Sequence, residues 1–272
     1  MKRVLFILLK VKRVEITLDR LPPSFDGFTI VLLTDVHVGP SVSRERVEKI
    51  MKLSNSLNPD LVAVSGDLVD GFVANVGRST LPFVNLTSNF GVFYVTGNHE
   101  YYHGDVNHWL HFISTRLNMT VLRNSHHKLY SRSREDYICI AGVDDYFADW
   151  LGIENHTMDA SKAINGCGTE KLIILLVHQP NGARRILETV IAPRIDLILS
   201  GHTHGGQLYV FSLFAYFTNA YLNGLYQTSH PSLPRTYIYV SPGVNYWGPP
   251  VKMNNLCEVT FITLHSAPSS NV

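Results

Sequence analysis

With 272 residues, 45% of them hydrophobic, the chain is long enough for one large domain or two small ones, and apolar enough to bury a sizeable core. A formal net charge of +1 provides no whole-chain field to draw nucleic acid or an acidic partner. Cys139, Cys167 and Cys257 are too few and too scattered for a disulfide framework or a cysteine-based zinc site, and they leave the compartment open.

The first stretch, MKRVLFILLKVKRVEI, holds an apolar run from Val4 to Leu9 with Lys2, Arg3, Lys10, Lys12 and Arg13 around it. The run is shorter than the roughly 20 residues a bilayer span needs. No small-residue cleavage site follows, so a signal peptide is not expected either. Residues 1–13 read as a basic, apolar foot on an anionic membrane, or as the lead-in to an edge strand at Val14, Ile16 and Leu18. FTIVLLTD follows as an apolar strand, then SRERVEKIMKLSNSL as a helix whose Val47, Ile50, Met51 and Leu57 keep helical spacing behind Ser43. LVAVSGD and GVFYVTGN are further strands, VNHWLHFISTRL a helix, DYICIAGVDD and KLIILLVH strands, ARRILETVIA a helix and DLILSGH a strand. RTYIYVSPG and LCEVTFITLH alternate as antiparallel strands do. Strands alternating with helices predict an α/β sandwich with layered sheets, and the Ser/Pro-rich tail over 265–272 is expected to be disordered.

Residue types that bind cations recur where these strands end. They are Asp35 and His37 in TDVHVG, Asp67 in SGDLVDG, Asn98 and His99 in TGNHE, His178 in LLVHQP, and His202 and His204 in SGHTHGGQ. Taken singly, Asp35 can be a helix cap, Asn98 a turn residue and His178 a satisfied core histidine. Five strand ends that all supply oxygen or nitrogen donors, four of them beside glycine, go beyond coincidence. Ligands of open α/β sheets bind outside the carboxyl ends of the strands, so segments far apart in sequence can meet there.

The motifs DxH, GDxxDG, GNHE, VH on a strand and GHTH, in this order, resemble the calcineurin-like metallophosphoesterases over roughly residues 14–264. GHTHGGQL, GNHEYY and GVNYWGPP resemble the membrane-associated branch of that family, which includes transmembrane proteins carrying a metallophosphoesterase domain. The resemblance implies a four-layer α/β/β/α sandwich with two mixed sheets. It also implies a two-metal site bridged by Asp67, with Asp35, His37 and His204 on the first ion and Asn98, His178 and His202 on the second. Mixed imidazole and oxygen donors suit Mn, Fe or Zn better than Ca. Two divalent ions outweigh the two aspartates, so the site would attract phosphate and hold a hydroxide for in-line attack. His99 is implied to meet the scissile phosphate and protonate the leaving oxygen, with Asp70 orienting its ring. The protein-phosphatase branch has arginine after that aspartate, whereas Gly71 and Phe72 follow Asp70 here, which argues against a phosphoserine phosphatase. Glu100 replaces the aspartate of GNHD and is expected to support the ligands. His103, His108, His111, His126, His127 and His156 match no motif and read as surface or packing residues, with pocket lining an alternative for His103.

No charged residue occurs between Leu208 and Pro234, where Phe211, Leu213, Phe214, Tyr216, Phe217, Tyr221 and Tyr226 crowd together. This stretch either borders the pocket or touches a bilayer, which would make the substrate a phosphorylated lipid or other amphiphile, or it is a long loop packed on the core with its aromatics buried. The packed loop is the favoured reading. The function expected is hydrolysis of a phosphomonoester or phosphodiester, with a non-catalytic scaffold of the same fold as the alternative. A nuclease would need a basic groove, and none is apparent. Neither span nor export signal precedes the domain, so membrane association is expected to be peripheral in this form. Sequons at Asn85, Asn118 and Asn155 are about as frequent as chance provides.

Overall fold

The structure, a computed structural model, describes residues 8–228, 235–248, 251–253 and 257–268. Most of the first thirteen residues' apolar run and the end of the expected tail lie outside the described residues. One sheet contains β1 (Lys10–Leu18), β2 (Phe28–Leu33), β3 (Leu61–Ser65), β4 (Val92–Val95), β5 (Thr120–Val121) and β12 (Glu258–Ser266), in the spatial order β1-β12-β2-β3-β4-β5. The other contains β6 (Ser125–Tyr130), β7 (Tyr137–Gly142), β8 (Ile173–Leu176), β9 (Leu197–Ser200), β10 (Gly224–Gln227) and β11 (Tyr237–Val240), in the order β10-β11-β9-β8-β7-β6. The helices are α1 (Arg44–Ser56), α2 (Val73–Thr80), α3 (His99–Tyr102), α4 (Val106–Arg116), α5 (Ala148–Leu151), α6 (Ala160–Ile164), α7 (Pro180–Leu187) and α8 (Tyr209–Thr218).

The strands read as continuous apolar runs because both of their faces are covered. In β2, Ile30 and Leu32 face the second sheet and join Ile140, Ile174, Leu176, Leu197 and Leu199 in the central core. Val31 and Leu33 point the other way, onto Val47 and Ile50 of α1 and Trp109 and Ile113 of α4. The far face of the second sheet packs Ile173, Leu175 and Ile198 on Ala163 and Ile164 of α6 and on Ala183 and Ile186 of α7. The result is a four-layer α/β/β/α sandwich with two mixed sheets. α1 starts at Ser43, in extended backbone with Glu45 in the first turn, and stops at Leu57, ahead of left-handed Asn58 and the helix-breaking Pro59.

Three parts of the sequence reading need correction. β11 runs parallel to β9 and antiparallel only to β10, because Tyr239 faces the central core while Ile238 and Val240 face the outer helices; alternation between an aromatic and an aliphatic face mimics alternation between water and core. β12 extends through His265 and Ser266, which pair with Thr17 and Leu18, so the tail starts later than expected. The stretch after Leu208 is not a packed loop: it forms α8, and Leu213, Phe214, Tyr216 and Phe217 are exposed on it. Among the described residues no helix is long and apolar enough to cross a membrane.

Cys139 of β7 and Cys167, just beyond α6, form a disulfide across a Cα separation of 5.7 Å, both fully buried. A single bridge rather than a framework is what three cysteines permit, and it pins the α6 segment to the second sheet. The bridge closes a sequence separation of 28 residues. Replacing both cysteines by alanine is therefore expected to lower stability by roughly 3 kcal/mol through the freed chain entropy, read as a lower urea midpoint.

Candidate metal centre

β2, β3 and β4 are parallel, and so are β7, β8 and β9, so their carboxyl ends share one edge of the sandwich. The loops leaving that edge turn sharply. Asp35, His37, Asp67, His202 and His204 all adopt left-handed backbone, with φ of 55°, 51°, 52°, 73° and 50°. Non-glycine residues seldom adopt this conformation, and it swings successive side chains inward rather than along the strand direction. Gly66, at φ 78°, has no alternative residue, because a Cβ there would lie 2.5 Å from the His178 ring. Gly97 is equally confined, since a Cβ would collide with the Asp67 carboxylate.

Glu100 holds two of these loops together. Its buried carboxylate accepts the backbone N–H groups of Leu68 (2.8 Å), Val69 (3.2 Å), Asp67 (3.1 Å) and Gly97 (2.6 Å). Burial, with the nearby Asp67 charge, pushes its pKa up to about 7 against the pull of those donors. The support expected of Glu100 is thus given through the backbone, not through a ligand side chain.

The structure brings all nine candidate residues to this edge, seven of them in two groups with His99 and Asp70 alongside. One ligand atom each from Asp35, His37 and His204 lies within 4.8 Å of the others, and the same holds for Asp67, His178 and His202. Asn98 belongs with the second group: its Nδ2 donates to the Tyr102 hydroxyl (2.7 Å), which leaves Oδ1 facing His202 Nδ1 at 2.8 Å. Asp67 lies between the groups, its Oδ2 3.7 Å from His37 Nε2 and 3.1 Å from His178 Nε2. Asp35 is steadied by the His202 N–H, 3.0 Å from one carboxylate oxygen and 3.1 Å from the other.

The donor atoms are arranged for cations. His178 Nδ1 lies 2.8 Å from the Ser65 carbonyl, which can only accept, so the proton is on Nδ1. Nε2 lies 3.1 Å from Asp67 Oδ2 outside hydrogen-bonding geometry; burial works to lower His178, but the Asp67 charge holds its pKa well above the usual value, so this pair carries a proton where a cation would otherwise sit. His37 and His204 face each other through Nε2 at 3.0 Å, while the Nδ1 of each is buried with no partner. Burial drives His37 down to about 3 and His202 down to about 4, and holds His204 well below its usual value, so these imidazoles are neutral, the form that ligates. Burial opposes ionisation of Asp67, yet the imidazoles around it, His178 foremost, keep its pKa well below the usual carboxylate range. Buried lone pairs in near contact with ionised carboxylates are stable only with positive charge between them, and oxygen and imidazole donors fit divalent transition metals.

Beside the two groups, His99 Nδ1 lies 3.1 Å from Asp70 Oδ1, and its Nε2 is 4.0 Å from Asp67 Oδ2. Burial works to lower His99, but the Asp70 hydrogen bond and the Asp67 and Asp70 charges raise it overall. Its ring lies against those of Tyr102 at 4.7 Å and Trp247 at 5.6 Å. Trp247 is held by a reciprocal pair, its N–H donating to Gln207 Oε1 (2.9 Å) and its carbonyl accepting from Gln207 Nε2 (2.8 Å). That pair joins GHTHGGQ to GVNYWGPP. His103 sits at the rim, 3.4 Å from Asp70 and partly exposed.

Two further residues of this edge were not singled out from the sequence. Lys252 is buried and donates to the carbonyls of Pro242, Gly243 (3.3 Å) and Asn245 (2.6 Å), tying down the turn beside Asp35. Asp145, at the end of β7, is buried with Oδ1 accepting from Gln179 (2.7 Å) and Oδ2 unpaired; burial raises its pKa to about 6. Its place in DYICIAGVDD, polar after an apolar run, is the pattern that identified the other strand-end residues.

The family profile for calcineurin-like phosphoesterases matches residues 28–206. Transmembrane protein with metallophosphoesterase domain from Danio rerio is 41% identical over 259 residues, covering 95% of this chain and 58% of that protein. Its namesake from Bos taurus is 40% identical over 262 residues, covering 95% and 57%. The chain thus spans a little over half the length of these relatives. The crystal structure of TT1561 of Thermus thermophilus is similar with a TM-score of 0.50 at 15% identity, over 80% of this chain and 90% of that one, a likeness of fold alone.

The brace made by Glu100 can be tested apart from any activity. In Glu100→Gln an amide NH2 replaces one acceptor and leaves two of the buried backbone donors unpaired. The expected loss is about 3 kcal/mol, read as a lower urea midpoint at unchanged slope.

Proposed function

The chain belongs to the calcineurin-like phosphoesterase family, and from that premise we propose that it hydrolyses a phosphomonoester or phosphodiester at a pair of divalent cations. The first would be held by Asp35, His37 and His204, the second by Asn98, His178 and His202, with Asp67 shared. The observation that carries the reading is the convergence of seven donor side chains, with His178 Nε2 3.1 Å from Asp67 Oδ2, His37 Nε2 3.0 Å from His204 Nε2 and Asn98 Oδ1 2.8 Å from His202 Nδ1, on positions that a cation between them would satisfy. Mn, Fe or Zn suits the donors, and when bound such ions neutralise phosphate charge and lower the pKa of attacking water.

The chain's own groups supply the rest. Asp70 accepts the His99 Nδ1 proton, which fixes the tautomer and, by favouring the charged ring, readies Nε2 to donate. His99 then protonates the leaving oxygen as the phosphoester bond breaks. Tyr102 and Trp247 enclose the His99 ring and limit the water around it. With Gly71 and Phe72 after Asp70, no arginine adjoins the phosphate from that loop. The complete donor set and the paired His99 and Asp70 favour hydrolysis over a scaffold role. The substrate class we favour is a lipid-like or amphiphilic phosphoester. Relatives named as transmembrane proteins support membrane association, peripheral for the described residues.

Turnover of soluble chromogenic mono- and diesters, followed with elemental analysis, tests the assignment. Asp67→Asn is expected to lose bound metal and turnover together. His99→Asn is expected to keep both metals and lose about 10²- to 10⁴-fold in rate. Turnover that survives both chelation and Asp67→Asn would overturn the reading. Because each proposed ion joins both sheets, manganese at 100 times its dissociation constant should also stabilise the fold by about 2.7 kcal/mol, seen as a raised melting temperature that chelator reverses.

A further inference from the structure

We propose that the edge carrying the metal centre is a membrane-docking face, on which α8 and the basic start of β1 seat the domain on an anionic bilayer; the consequence for substrate, a phosphoester borne by that bilayer, rests on the phosphoesterase reading above. α8 begins three residues beyond the His204–Gly206 turn, and its ten residues, YVFSLFAYFT, include no charge. Leu213, Phe214, Tyr216 and Phe217 are 64%, 68%, 64% and 76% exposed. Single exposed apolar residues are ordinary, but four large ones on one short helix are not. Trp247 and Val251, 52% and 42% exposed, extend the patch across the Gln207 bridge, with Met253 N–H donating to the Gln207 carbonyl at 2.9 Å. Leucine and phenylalanine with tyrosine and tryptophan is the composition that settles at the boundary of headgroups and acyl chains.

The direction of the chain identifies the occupant as a bilayer. β12 is antiparallel to β2, so it starts at the edge where β2 ends, and β1 is parallel to β12, with Lys10 paired to Glu258. The Glu258 N–H donates to the Gly243 carbonyl, and the residue after that glycine, Val244, donates to Thr34 beside Asp35. The chain therefore enters the fold at the metal-centre edge. The residues just before that entry are Lys2, Arg3 and the apolar run Val4–Leu9. Leu8, Lys10, Lys12 and Arg13 are exposed where the strand begins. Cationic side chains at the same edge as an uncharged aromatic helix complement a surface with anionic headgroups outside and hydrocarbon beneath. A protein partner would instead be met by a polar rim, and α8 has no charged residue to form one.

The test uses the full chain with vesicles of phosphatidylcholine alone and of phosphatidylcholine mixed with phosphatidylserine. Sedimentation with the anionic vesicles is expected, weakened by salt. Leu213→Ser, Phe214→Ser and Phe217→Ser together should reduce partitioning by roughly tenfold for each side chain, and Lys10→Glu with Lys12→Glu should abolish only the preference for anionic lipid. In a Trp150→Phe background, brominated acyl chains should quench Trp247. Wild-type protein left in the supernatant with both vesicles, a triple serine variant that partitions like wild type, or Trp247 left unquenched would each overturn the proposal. Turnover of a soluble ester is measured separately. Vesicle binding without hydrolysis would sink only the phosphoesterase reading, and hydrolysis without vesicle binding only the docking.

Discussion

Asp35, His37, Asp67, His202 and His204 each hold a backbone conformation that costs an L-residue roughly 1 kcal/mol or more, and they are clustered at one edge of the sandwich. No local preference in the sequence produces that. It is imposed by strands buried on both faces, whose registers leave no slack at their carboxyl ends, and it is held by Glu100 on four backbone N–H groups and by Lys252 on three carbonyls. The packed core thus stabilises a set of strained turns, and the strained turns aim the side chains.

The electrostatics follow from that geometry. Imidazoles and carboxylates brought this close and this far from water have two ways to coexist: exchange protons or share a cation. Burial keeps His37, His202 and His204 neutral, which leaves the first option, within the two groups, to His178 and the ionised Asp67. His99 stands apart because Asp70, which also meets His103 at the rim, gives it an acceptor outside the two groups, and this separates a group suited to moving protons from groups suited to ligation.

What could be read from the sequence was the chemistry that side chains carry themselves. Asp35, His37, Asp67, Asn98, His178, His202 and His204 each follow an apolar strand, so their types and their positions were both visible. Glu100 and Lys252 were harder because their partners are backbone atoms, which every sequence has. The Cys139 to Cys167 bridge joins β7 to the segment after α6, a proximity that exists only once the outer layer has docked. α8 was missed because a helix exposing Leu213, Phe214 and Phe217 lacks the one-sided polarity by which surface helices are recognised. The parallel pairing of β11 was hidden by Tyr237 and Tyr239, which look amphipathic in sequence but both pack on the central core, Tyr239 fully buried there.

Each of the two side-chain groups draws on both sheets: Asp35 and His37 from the end of β2 meet His204 from the end of β9, and Asp67 from β3 meets His178 from β8. Neither sheet alone can assemble either group. The first sheet is also incomplete until β12, the last strand in chain order among the described residues, inserts between β1 and β2. Any cation that needs three of these donors can therefore bind only once the two sheets have docked, because a half-folded chain presents neither group complete.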